Sequence, residues 1–306
     1  MTPKLLSLFA ATAAVAQTLQ CPQNVHGQAS QMMTSNIARS QGAAASSSGT
    51  GLIELGIFYQ ALRESIAATN NTADKQAWTA YLHNSTATAI PLFTNATSAI
   101  GLPLDRFSIG TEMMRQSHET QSASLLSAIS TLQDSLAQQP RNTNGGLWYY
   151  DNQNNLTAYR NLSYTDGMYS YPTFAILSAG NGTRQSDAVG PATSSRQSVR
   201  LNILEDTKLR NKAIKAGVGL WENIFDTHVT RNANGTLDLG GTSSIASLSP
   251  QIVNAKVRYE LNFPILPIGN VDSFSQYYFD RPTANNSLIG TSAFTLASLE
   301  LEKLCG

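Results

Sequence analysis

The spacing of apolar residues constrains this chain most. In residues 51–69, GLIELGIFYQALRESIAAT, the residues Leu52, Leu55, Phe58, Leu62 and Ile66 recur every three or four positions, the period of one helix face. From Asp74 to His83, Ala77, Trp78, Tyr81 and Leu82 fall on one side, with Asp74 read as the N-cap. LPLDRFSIGTEMMRQSHETQ reads as a helix from Leu104. SASLLSAISTLQDSLAQQP follows at once and stops at Pro140. SYTDGMYSYPTFAILSAG is a further helix, kinked at Pro172, and the stretches 207–229 and 290–306 complete the set. Strand-like alternation is scarce. The pattern predicts an all-α chain of helical hairpins joined by short polar turns.

Cysteine usage bears on how such hairpins close. The two cysteines, Cys21 and Cys305, lie at opposite ends of the chain. One disulfide between them requires the termini to meet, as they do in a closed ring of repeated units; the alternative is two separate thiols. His26, His83, His118 and His228 are scattered without ligand spacing, so no metal site and no cofactor is expected.

Lys4 precedes the apolar run LLSLFAATAAVA, which is too short to span a bilayer. With the small residues AVA at 14–16, it reads as a secretory signal peptide over 1–16, leaving a single domain over 17–306. No later stretch reaches about 18 uninterrupted apolar residues, so no membrane span is expected. Sequons at Asn70, Asn84, Asn95, Asn155, Asn161, Asn181, Asn234 and Asn285 point to a glycosylated extracellular protein. The net charge is zero and only 13 % of residues are charged, which argues against a nucleic-acid partner. A monomer is expected.

Two features could carry chemistry. In RNTNGGLWYYDNQNN, Gly145 and Gly146 precede Trp148, Tyr149 and Tyr150. Aromatic faces there either stack on sugar rings or pack between helices. In NLSYTDGMYSYP, Asp166 is a lone carboxylate among aromatic residues.

These stretches occur in a recognisable order: LPLDRFSIGTEMMRQ, QPRNTNGGLWYY, NLSYTDGMYSYPTFAIL, NGTLDLGGTSSIASLS and NNSLIGTSAFTLASLELEKL. Over roughly 50–175 and 220–304 the chain resembles the six-hairpin glycosidases, specifically the unsaturated rhamnogalacturonyl hydrolases of glycoside hydrolase family 105, which are related to the unsaturated glucuronyl hydrolases of family 88. The resemblance implies an (α/α)6 barrel. It also implies an oligosaccharide substrate with a 4,5-unsaturated uronic acid at its non-reducing end. The implied acid/base is Asp166, in TDGMYS, with Asp105 as the second catalytic aspartate, holding substrate hydroxyls or tuning Asp166. Trp148, Tyr149, Met168 and Tyr169 would line the sugar site. Read from the residues alone, Asp105 could equally be a plain helix N-cap.

The chain also departs from that family. Residues 178–205 are polar and weakly periodic, 256–273 are apolar and Pro-rich, and no Trp-Gly-Arg segment exists. About eight helices are recognisable where twelve are implied, so the barrel is expected to be incomplete. Loss of coding sequence near 178–205 and read-through near 256–273 would leave the same pattern as genuine degeneration. Two functions follow: a secreted hydrolase of unsaturated uronyl oligosaccharides, and a non-catalytic carbohydrate-binding or interaction protein on the remnant barrel. A third, an endo-acting hydrolase or lyase on a helical toroid, needs a further acid or base that the sequence does not place.

Overall fold

A computed structural model of the chain describes residues 22–44, 51–150, 161–163, 167–180, 207–243 and 282–305. Nine α-helices lie among these residues: α1 (Val25–Ala38), α2 (Gly51–Ala68), α3 (Thr72–Ala89), α4 (Ala96–Ile100), α5 (Arg106–Thr120), α6 (Ala123–Ala137), α7 (Gly167–Gly180), α8 (Thr207–His228) and α9 (Leu288–Cys305). A 3-10 turn, Ile90–Phe93, joins α3 to α4. Four short strands pair in two antiparallel couples, β1 (Val229–Arg231) with β2 (Leu237–Leu239) and β3 (Thr242–Ser243) with β4 (Thr283–Ala284).

The helices form two rows. α9, α2, α5 and α7 pack side by side in that order. α1 lies on α9 and α2, α3 on α2 and α5, α6 on α5, and α8 on α9. The architecture is an incomplete all-α toroid in which one row lines the interior and the other sheathes it. α5 shows this most plainly, because it touches α2, α3, α6 and α7. Arg106 through Met114 are buried without a break, as are Gln116 and Ser117. Its partners approach closely through small residues. Gly56 on α2 meets Ser108, and Gly110 faces Leu132 on α6 and Phe174 on α7. The Phe107 and Phe174 rings lie 5.1 Å apart, tilted by 32°, and neither is exposed. Burial of a side chain this size is worth about 1.5–3 kcal/mol.

Local chemistry sets the boundaries. α3 starts at Thr72, and its cap is Asn71, whose Oδ1 accepts from Ala73 N at 2.9 Å and Asp74 N at 3.3 Å; Asp74, expected as the cap, is inside the helix. α5 and α6 are separated by Gln121, which takes a left-handed φ of 52°. α7 tolerates Pro172 within the helix. On its far flank, Ile176 and Leu177 are exposed. The first and last described helices lie together: His26 Nδ1 on α1 is 2.9 Å from Glu302 Oε2 on α9. Cys21 and residues 1–16, expected as a signal peptide, lie outside the described residues, as do 181–206 and 244–281. None of the described helices is long and apolar enough to cross a membrane.

Candidate active site

Asp105 sits at the N-cap position of α5, but its carboxylate makes no capping bond. Its φ of −58° and ψ of −22° are already helical, and the first turn is closed instead by Ser108, whose N–H and Oγ both reach the Asp105 carbonyl. The side chain turns inward and only 2 % of the residue is exposed. Oδ2 accepts a short bond from the Tyr149 hydroxyl, and Oδ1 accepts from Ser170 Oγ at 3.2 Å. Residues 105, 149 and 170 therefore meet from three separate segments: the start of α5, the aromatic loop and the first turn of α7.

The adjacent residue, Arg106, is buried beside this carboxylate and directed elsewhere. Its guanidinium donates to Ser135 Oγ, to Gln139 Oε1 and to the carbonyls of Leu102 and Pro103. It also lies 4.2 Å over the Phe107 ring. Burial pulls it down to about 9, and the neighbouring Asp105 carboxylate opposes that shift. The cation thus braces the loop before α5 and α6, while the carboxylate faces α7.

Backbone bonds bring the aromatic loop to Asp105. Asn142 Oδ1 accepts from Asn144 N and Gly146 N, and Gly145 takes a φ of 81° that closes the turn; Gly146 does not need such a φ. The returning strand then bonds Trp148 N to Pro140 O, Tyr149 N to Leu162 O and Leu104 N to Tyr149 O. The Trp148 carbonyl accepts from Gln139 Nε2 at 2.8 Å. Tyr149 and Tyr150 meet edge to face at 4.9 Å, and Tyr149 also packs on the helical core. The Trp148 indole nitrogen is buried with no hydrogen-bond partner.

α7 begins at Gly167, so Asp166 directly precedes it in sequence. Asp166 itself and the Met168 side chain lie outside what the structure describes. Tyr169 is described: its hydroxyl donates to Gln60 Oε1 on α2. Ser170 and Gln60 were not identified from the sequence. Ser170 stands four residues after Asp166, the spacing of one helix face, and that spacing could have marked it. Nothing about Gln60 in the sequence separates it from an ordinary helix glutamine.

A cavity of about 530 Å³ opens elsewhere, between α8 and α9. Leu220, Trp221, Ile224, Phe294, Leu301 and Leu304 make it apolar, with His228, Thr242 and Glu300 as polar exceptions. It contains neither Asp105 nor the aromatic loop. The Asp105 cluster instead places a buried carboxylate among oriented polar neighbours, an arrangement that general acid–base chemistry uses. Among the described residues no group of His, Cys, Asp and Glu is arranged to hold a metal ion.

No family model matches the chain, and no curated protein matches it in sequence. Its structure is similar to that of a glycoside hydrolase of family 105 from C. acetobutylicum ATCC 824. The match covers 90 % of this chain and 99 % of that one, at 14 % identity and a TM-score of 0.54. The two proteins share a fold: this chain has the helical-toroid architecture of that hydrolase.

Proposed function

We propose that the protein is a secreted hydrolase of unsaturated uronyl oligosaccharides of the kind a pectin lyase leaves behind. The observation that carries this is the meeting of Asp105, Tyr149 and Ser170. Three sequence stretches of the family resemblance converge there, on a fold shared with a glycoside hydrolase. The signal-peptide pattern and the sequons support secretion.

In the proposed reaction the terminal sugar carries a vinyl ether. Asp166 protonates C4, an oxocarbenium-like centre forms at C5, and water adds there, giving up a proton to the same carboxylate. The hemiketal then opens and releases the next sugar. One carboxyl group acts first as acid and then as base. Bond breaking is not displacement at the anomeric carbon, so the carboxylate-separation rule for retaining and inverting enzymes does not apply. Asp105, held by two hydroxyl donors, supplies a fixed carboxylate beside the start of α7. Trp148, Tyr149, Met168 and Tyr169 form the sugar wall.

The test is loss of ultraviolet absorbance of an unsaturated rhamnogalacturonan disaccharide. Asp166→Asn keeps shape and polarity but cannot deliver a proton, so the rate should fall by at least ~10²-fold. An unchanged rate would sink the assignment. The second reading, a carbohydrate-binding protein without turnover, is favoured by the exposed Ile176 and Leu177 on α7, a flank on which a complete barrel would seat its next hairpin. Binding of the disaccharide with no absorbance change would establish that alternative.

A further inference from the structure

The first turn of α7 is tied to two other interior helices. Ser170 bonds to Asp105 at the head of α5, and its neighbour Tyr169 bonds to Gln60 on α2. α2, α5 and α7 run parallel. Gly56 and Arg63 on α2 meet Ser108 and Glu112 on α5 in the same order. Ser170, Phe174 and Ser178 on α7 likewise meet Asp105, Gly110 and Met114. α2 and α7 touch different faces of α5, and α6 covers a third through Arg106 and Gly110. α3 packs on α5 as well, and the Tyr169–Gln60 bond spans from α7 to α2, the two interior helices that flank α5.

Its depth follows from the register. Gly56 is level with Ser108, three residues past Asp105, and Gln60 lies four residues further, so its backbone is about 10 Å beyond Asp105 along the parallel helices at 1.5 Å per residue. Helix side chains lean toward the N-terminus, so the glutamine head reaches back part of that distance, below Asp105. Tyr169 and Gln60 are both only half-buried, as befits groups that border an open interior. A tyrosine ring anchored at its hydroxyl loses the freedom to swing about χ1, and an anchored ring offers a sugar one fixed face.

We infer that Gln60 is a positioning residue for the sugar site: it holds Tyr169 across the interior as the floor beneath Asp105. The inference rests on the proposed function and adds to it a residue outside every stretch of the family resemblance's aspartate and aromatic motifs.

The experiment uses the full chain carrying Asp166→Asn, so that the unsaturated disaccharide binds without turnover, and calorimetry reads its affinity. Gln60→Met removes the acceptor at nearly constant size and should weaken binding roughly three- to tenfold, the worth of one hydrogen bond. Gln60→Glu keeps an acceptor and should restore it. Tyr169→Phe should lose as much as Gln60→Met, and the double variant no more than either alone. In an active parent the loss should fall mainly on KM. Full affinity in Gln60→Met, additive losses, or failure of Gln60→Glu to restore binding would each overturn the inference. If the parent binds no unsaturated uronide, the proposed function fails with it. The strut is then read by fluorine NMR of 3-fluorotyrosine placed at 169. A sharp parent resonance that broadens in Gln60→Met upholds the strut, and identical spectra refute it.

Discussion

Arg63 and Glu112 show how single charges behave inside this toroid. Arg63 donates from Nε to Glu112 at 2.7 Å and from Nη1 to Glu119 at 2.7 Å. The Glu112 side chain is 3 % exposed, whereas that of Glu119 is 46 % exposed. Burial raises the Glu112 carboxyl above its ordinary range even though Arg63 pulls it down, while the two glutamates hold Arg63 charged despite its own burial. The deeper group pays more desolvation, so for Glu112 burial wins. Removing the cation strands a buried carboxylate: Arg63→Met should cost about 3 kcal/mol in urea unfolding. Glu112→Gln should cost less, because Arg63 keeps Glu119. A carboxyl raised in the folded state favours folding below its unfolded value, and that contribution is lost as pH rises through the raised one. The deficit of Glu112→Gln relative to the parent should therefore shrink between pH 4 and pH 7; a widening deficit would contradict the direction of the shift. None of this was legible in the sequence, where Glu112 looks like any polar helix residue. Asp105 was only half legible. Its position before a helix predicted either a cap or a site, and only the turned-in carboxylate, bonded to Tyr149 and Ser170, removes the cap.

At the scale of elements, periodicity located most helices because apolar faces buried against neighbours recur every three to four residues. It placed α2, α6, α7 and α8 within a few residues of their observed bounds. α1 was missed. VHGQASQMMTSNIA is held by burial of Val25 and Met32 in a cluster with residues of α8, β2 and α9, and of Met33 in the main core with α2, partners the local sequence does not announce. The strands were missed because three residues are too few to show alternation. The closeness of the interior helices was also invisible, since Gly56 inside α2 reads locally as a weak helix residue. In the fold a β-carbon there would overlap Ser108 Oγ and Cβ. The Oγ can swing aside, but the Cβ is fixed to the backbone, so the helices must part. Gly56→Ala should lower stability by about 1–3 kcal/mol despite alanine's better helix propensity. Ser108→Gly in the same chain should recover part of the loss. A neutral or stabilising Gly56→Ala in thermal unfolding would mean that α2 and α5 do not cross where described.

At the scale of the whole molecule, the question is what holds the ends of an incomplete ring. α1 runs along α9, and the His26–Glu302 contact marks where their far ends meet. That pair is partly exposed, at 37 % and 44 %, and a surface pair contributes only about 0–1 kcal/mol. A covalent tie would do more. Cys21 precedes His26 by five residues and Cys305 follows Glu302 by three, so the intervening chain spans at most about 17 Å and 10 Å when fully extended. Those lengths bound how far each cysteine lies from the His26–Glu302 contact, and an oxidising compartment would allow the two to pair. A bridge closing nearly the full chain removes much entropy from the unfolded state, with a typical worth of about 2–5 kcal/mol. The expected outcome is a Cys21–Cys305 linked peptide in a non-reduced digest of the protein. Cys21→Ser and Cys305→Ser should each lower the melting temperature by the same amount, and the double variant by no more. Two thiols that alkylate freely in the folded protein, or single variants with unequal and additive losses, would show that the ring is closed by helix packing alone.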